Sequence, residues 1–243
     1  MSTPTSPAPA PSPGLDGTST AAVPLPPACA SPVQVVLLDA DGVLQLIGTP
    51  WEQALEASGG PGFAAALLAE EVDALSGRES LSSLLARLRK RLQVSRSTAE
   101  LLELWWRATP DPAAWAVVRE LRAAGYLTVL ATNQQWERRA WMRERLGYDG
   151  LCNVDAYSCE VGVAKPAPEY FLRVLARVGL SPQEASRALF VDDSAQNIAA
   201  AHQLGLRTLH HPVDAGGAVL RAELLEALAG PEPAAGGTGP AAV

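Results

Sequence analysis

Asp39 and Asp41 stand two residues apart in the segment Leu38-Asp39-Ala40-Asp41-Gly42. In an extended chain, residues at i and i+2 point the same way, so both carboxylates can reach one reacting group. One can attack phosphorus to form an acyl phosphate. The other can protonate the leaving oxygen and then activate water. Gly42 lets the chain turn sharply just beyond them. Phosphate monoesters hydrolyse so slowly unaided that enzymatic accelerations reach about 10²¹-fold. Splitting the reaction into two steps and neutralising the phosphoryl oxygens are the routes open to a protein.

Such a pair acts only if the chain delivers partners to it. Short apolar runs at 33–38, 127–131, 154–158, 188–191 and 207–210 read as strands, the first two buried on both faces. Helices fall between them. Residues 112–124 form one, stopped by Gly125. Pro168 opens another, with Phe171, Leu172, Leu175 and Val178 on one face. Ser194 caps a third, which ends at Gly205. Alternating strands and helices predict an α/β chain with a Rossmann-like, doubly wound parallel sheet. Residues 49–108 break the alternation and read as helix only, in pieces at 51–57, 62–75, 81–92 and 98–107. This block is expected to be a small α-helical cap inserted into a core made of 32–48 and 109–228.

Ligands of an open α/β sheet sit at the carboxyl ends of its strands. After the first strand come Asp39 and Asp41. Thr132-Asn133 follow the second, Lys165-Pro166 lie in the loop after the third, and Asp192-Asp193 follow the fourth. Four carboxylates meeting without compensation would repel until some were protonated. A divalent cation together with Lys165 resolves the conflict. An all-oxygen donor set selects a hard ion, and Mg²⁺ typically binds through one or two carboxylates plus substrate phosphate. Lys165 is also unusual in type, because only Lys90 and Lys165 of the 19 cationic residues are lysine. A compact point charge suits a phosphoryl group or a carboxylate partner.

Asp39-Ala40-Asp41-Gly42-Val43-Leu44, Thr132-Asn133, Lys165-Pro166 and Val191-Asp192-Asp193-Ser194 stand in the order of the four motifs of the haloacid dehalogenase-like hydrolases. The resemblance spans roughly residues 33–212. It implies an aspartyl-phosphate on Asp39, with Asp41 as acid and base. It implies Mg²⁺ held by Asp39, the Asp41 main-chain carbonyl and the acids Asp192 and Asp193, chiefly Asp193. Thr132 and Lys165 would bind the phosphoryl group, with Asn133 assisting. The dehalogenases that name the family lack the second aspartate, so Asp41 points to phosphate chemistry. Segments such as Gly162-Val163-Ala164-Lys165-Pro166 further resemble members that hydrolyse sugar phosphates. The expected partner is thus a small phosphorylated metabolite. A phosphomutase on the same fold and a catalytically silent regulatory protein are the alternatives. A receiver-type signalling module does not fit, because there the acidic pair comes early and the phosphorylated aspartate later.

Composition bounds the remaining choices. The 243 residues carry a net charge of −7, and the pI is about 5.0. Nucleic acid is therefore not expected as a partner, because backbone binding needs a basic face. No apolar run reaches the length of a membrane span, and the N-terminus lacks the charged start of a signal peptide. The expectation is a cytoplasmic protein, monomeric or homodimeric. Cys29, Cys152 and Cys159 are odd in number and show no framework spacing, which fits reduced thiols. The Pro-, Ala- and Ser-rich segment 1–31 and residues 229–243 are expected to be disordered. Within the cap, Trp51, Trp105, Trp106 and Arg78 are candidates for substrate contact. His202, His210 and His211 are not needed by the chemistry.

Overall fold

The apolar runs assemble into one parallel sheet. The computed structural model describes residues 23–229. Its elements, in chain order, are β1 (Val35–Leu38), β2 (Gln45–Leu46), α1 (Trp51–Gly59), α2 (Phe63–Glu70), α3 (Val72–Leu75), α4 (Leu81–Leu92) and α5 (Thr98–Leu102). A 3₁₀ turn at Glu103–Trp106 follows. Then come β3 (Thr109–Pro110), α6 (Pro112–Ala123), β4 (Leu127–Thr132), α7 (Trp136–Glu144), β5 (Val154–Tyr157), α8 (Ser158–Val161) and α9 (Pro168–Arg177). The chain closes with β6 (Ala188–Asp192), α10 (Ala195–Gln203), β7 (Arg207–His210) and α11 (Gly217–Leu228). The main sheet runs β5-β4-β1-β6-β7, and all its pairs are parallel.

Strand alternation sends alternate side chains to opposite faces. Val36, Leu38, Leu130 and Val191 meet α6 and α11 on one face. Val35, Leu37, Val129 and Phe190 meet Phe171, Val174 and Leu175 of α9 on the other. Every residue of β1, β6 and most of β4 is buried, which is why these strands read as unbroken apolar runs. One expected face shifts: α9 buries Tyr170 and Val174 as well as Phe171 and Leu175, while Leu172 faces solvent.

Residues 51–106 fold into helices with their own apolar core of Leu55, Phe63, Leu67, Leu84, Leu88 and Leu101. The expected piece at 62–75 is divided in two by Glu71, whose backbone closes α2. The chain enters and leaves this insert through the antiparallel pair β2–β3, where Gln45 faces Pro110 and Leu46 faces Thr109. Two strands of two residues each carry too little pattern to be read from sequence.

The N-terminal segment corrects an expectation. Residues 1–22 and 230–243 lie outside the described residues, but residues 23–31 are packed rather than loose. Leu25 is buried, and its N–H donates to Glu120 Oε1 at 3.2 Å. Tyr126 donates its hydroxyl to the Pro26 carbonyl at 3.0 Å, and the Ala28 N–H donates to Ala124 O at 2.9 Å. Proline and alanine can lay apolar surface on an existing core with only a 3₁₀ turn at Ala28–Ala30, so composition alone misread this stretch. No helix among the described residues is long and apolar enough to cross a membrane.

Candidate active site

The site forms where β1, β4 and β6 end side by side. Register pairing sets Leu38 against Leu130 and Val191, so the next residues of the three strands emerge together. The Asp39 N–H still donates to Val191 O at 3.0 Å, which holds the turn to the sheet edge. Gly42 has φ +75°, and a Cβ built there would stand 2.5 Å from Asp193 Oδ2. Only glycine permits both the turn and this approach of the first loop to the last acid.

Asp39, Asp192 and Asp193 each bring a carboxylate oxygen into a group whose members lie within 4.8 Å of one another. Lys165 threads among them from the loop after α8. Its Nζ lies 3.0 Å from Asp39 Oδ1 and 2.7 Å from Asp192 Oδ2, and it donates to the Ala131 carbonyl at 2.7 Å. Lys165 is 4% exposed, and Asp192 is fully buried. Burial alone would lower the lysine pKa, but Asp192 and Asp39 outweigh it, and the ammonium is held above its ordinary range.

One cation does not balance three acids. Burial, with the charges of Asp192, Asp193 and Asp41, pushes the Asp39 carboxyl well above the carboxylate range even against Lys165. Burial and Asp192 push Asp193 up to about 6. An all-oxygen group of buried acids left so short of positive charge matches the chemistry of a hard divalent cation. Within the trio the roles divide. Asp192 Oδ1 accepts from the Ser194 N–H at 2.8 Å and from Asn197 Nδ2 at 3.0 Å, and Oδ2 takes the lysine, so this carboxylate already has protein partners. Asp193 and Asp39 are the freer donors.

The Asp41 carboxylate is not in that trio. Its Oδ1 accepts from Gln45 Nε2 at 2.7 Å and from Arg138 at 2.9 Å, and its Oδ2 accepts from Gln134 Nε2 at 3.1 Å. Gln134 also donates to Thr132 Oγ1 at 3.1 Å. Arg138 is fully buried, donates to the Trp105 carbonyl, and lies with its guanidinium carbon 5.3 Å from the Trp51 ring centre. Sequence reasoning missed Gln45, Gln134 and Arg138. Gln134 had a signal, since it directly follows Thr132-Asn133. Arg138 sits on α7, a helix not anticipated, and nothing in the sequence pairs it with residue 41.

Asn133 lines the cavity and is also tied to the lysine loop. Its Nδ2 donates to Lys165 O, and its Oδ1 accepts from the Lys165 N–H, both at 2.9 Å. The carboxamide therefore clamps the lysine loop. Thr132 is buried at the end of β4.

A cavity of about 250 Å³ opens over Asp39, Asp41, Lys165 and Asp193 and is roofed by the insert. Trp51 and Trp105 line it. Trp106 instead stacks on Trp141, with ring centres 4.8 Å apart. Arg78 is tied to Asp73 at 2.5 Å and lines a neighbouring groove. Among the described residues, the histidines and cysteines stand outside the acidic group: His210 Nε2 lies 2.8 Å from Asp193 O, and buried His211 pairs with Glu223 at 2.6 Å.

Comparison with known proteins places this geometry. Residues 33–205 match the family model of the haloacid dehalogenase-like hydrolases. A HAD family enzyme from Bacteroides thetaiotaomicron, crystallised with magnesium and inorganic phosphate, superposes with a TM-score of 0.61. It is 19% identical, covering 73% of this chain and 93% of its own. A predicted HAD-like hydrolase from Porphyromonas gingivalis gives 0.64 at 21% identity, covering 78% and 97%. L-2-haloacid dehalogenase from Xanthobacter autotrophicus, with chloropropionic acid covalently bound, gives 0.53 at 19% identity, covering 72% and 76%.

Proposed function

The chain belongs to the haloacid dehalogenase-like hydrolases, and on that premise we propose that it is a Mg²⁺-dependent phosphatase acting on a small phosphomonoester. The observation that carries this reading is Asp41. A carboxylate held by Gln45, Gln134 and Arg138 beside a buried nucleophile candidate supports a role in proton transfer to and from an ester oxygen. Displacement of a halide needs no such donor, so a dehalogenase would leave Asp41 idle.

In this reading an Asp39 oxygen bonds to phosphorus as the ester P–O bond breaks, and Asp41 gives its proton to the departing alkoxide. Water then bonds to phosphorus as the P–O bond to Asp39 breaks, and its proton passes to Asp41. The products are an alcohol and inorganic phosphate, and both aspartates return to their starting state. Mg²⁺, held by Asp39, Asp193 and the Asp41 carbonyl with Asp192 beside them, would supply positive charge to the phosphoryl oxygens. Lys165 adds a second positive charge beside Asp39 and, together with the metal, would favour its ionised form. Thr132 offers its hydroxyl, and Asn133 holds the Lys165 loop in place. The insert acts as a cap that excludes water from the cavity.

The test is phosphate release from a panel of phosphomonoesters with Mg²⁺, run beside 2-haloacids. Phosphate release that disappears in Asp39→Asn supports the reading. Halide release without phosphate release overturns it.

A further inference from the structure

The cavity over Asp39 has two unlike walls. The sheet edge supplies the charged groups, whereas the cap supplies Trp51, Leu55, Leu67, Leu68, Leu75 and Trp105. A sugar presents several hydroxyls, and each would lose its water against such a wall without gaining a partner. The volume of about 250 Å³ is also below the range of roughly 300–1,000 Å³ common for drug-sized ligands.

One group interrupts the apolar roof. Glu71, at the break between α2 and α3, lines the cavity. Its side chain meets only Gln135 Nε2, at a long 3.4 Å. Gln135 lines the same cavity and is 3% exposed, and its Oε1 is buried with no donor. Arg78, which lines a neighbouring groove together with Glu71, is bound to Asp73. The cap thus presents one carboxylate, held by a single long hydrogen bond from the core residue Gln135, in a hydrocarbon surface.

We propose that the substrate is a phosphate ester of a short apolar chain carrying one amine, the ammonium seated against Glu71. This names the substrate class of the phosphatase site and rests on that reading. Burial pushes the Glu71 carboxyl up to about 7, a strain that a bound cation relieves. An ammonium supplies three donors to the acceptors present, and the chain between it and the phosphorus lies against leucine and tryptophan.

The test compares straight-chain aminoalkylphosphonates with alkylphosphonates of equal length. Their C–P bond resists hydrolysis, so calorimetry on the Mg²⁺-loaded protein reads binding alone. At the best chain length the amino compound is expected to bind about tenfold or more tighter. Glu71→Gln should bring that ratio close to one. Equal affinity of the two series for the unsubstituted protein overturns the proposal, as does a preference that survives in Glu71→Gln. Tighter binding of sugar phosphates than of any amino compound overturns it too. Phosphate release from the parallel ester series is measured separately. Its absence would remove the phosphatase reading while the binding ratio still decides the ligand class.

Discussion

Arg138 has no solvent exposure, and its guanidinium is shared between Asp41 and the main-chain oxygen of Trp105. Asp41 is 22% exposed and keeps its two glutamine donors, so removing Arg138 should cost about 1–3 kcal/mol, less than for a fully buried pair. Arg138→Met should therefore lower stability by that order in denaturant unfolding. Arg138→Lys keeps the charge but loses the fork that reaches both partners. It is expected to lower kcat on phosphate esters about tenfold or more with KM little changed, since Asp41 acts on the proton in flight. Glu71 supplies a pH signature. Its folded-state pKa is raised from 4.5 to about 7, so the folded protein binds the extra proton. By linkage, that contribution to stability is present at low pH and lost as pH rises through this window. Thermal unfolding of the metal-free protein between pH 4.5 and 7 should show the decline, and Glu71→Gln should lessen its slope, with Asp39 and Asp193 supplying the remainder.

Helix α7 connects the helical insert to the site. Gln135 meets Glu71, Trp136 Nε1 donates to Gly77 O at 3.1 Å, Arg138 binds Trp105, and Trp141 stacks on Trp106. Glu137 adds a cap in trans. Its carboxylate accepts from the Leu81 and Ser82 N–H groups at 3.1 and 2.9 Å, satisfying the open N-terminus of α4. Glu137→Ala should cost about 1 kcal/mol and speed amide exchange at the start of α4, measured by hydrogen exchange. Unchanged exchange there would show that Ser80, which also caps this helix, suffices. Arg138 alone among these reaches both sides, bonding the Trp105 carbonyl of the insert and the Asp41 carboxylate.

Across the whole molecule, the acids of β1 and β6 converge on a point that lacks enough positive charge. A cation that binds only the folded chain stabilises it by mass action, about 2.7 kcal/mol at a hundredfold excess over Kd. Mg²⁺ should therefore raise the melting temperature, and Asp193→Asn should remove most of the rise. Gly42→Ala should have a related effect, because its Cβ would displace the Asp193 carboxylate. Loss of Mg²⁺ affinity by about 10–100-fold is expected, the range seen when support around a metal site is disturbed. Titration of the metal against thermal stability measures both.

Much of this site was legible before folding was considered. Strands buried on both faces must be apolar throughout, so β1, β4 and β6 announce themselves. A parallel sheet brings all its carboxyl ends to one edge, so Asp39, Asp41, Thr132, Lys165 and Asp193 could be assigned to a common place from order alone. Tertiary structure decided what each group meets there. Asn133 was taken up by the Lys165 backbone, and Asp192 by Asn197 and the lysine. Asp41 found Arg138, 97 residues away in the chain. The face that the cap turns to the site was equally hidden. Helical periodicity marks an apolar stripe but not which stripe meets the core and which overlooks a cavity. That choice depends on packing between segments remote in sequence, and it set Glu71 above the aspartate pair.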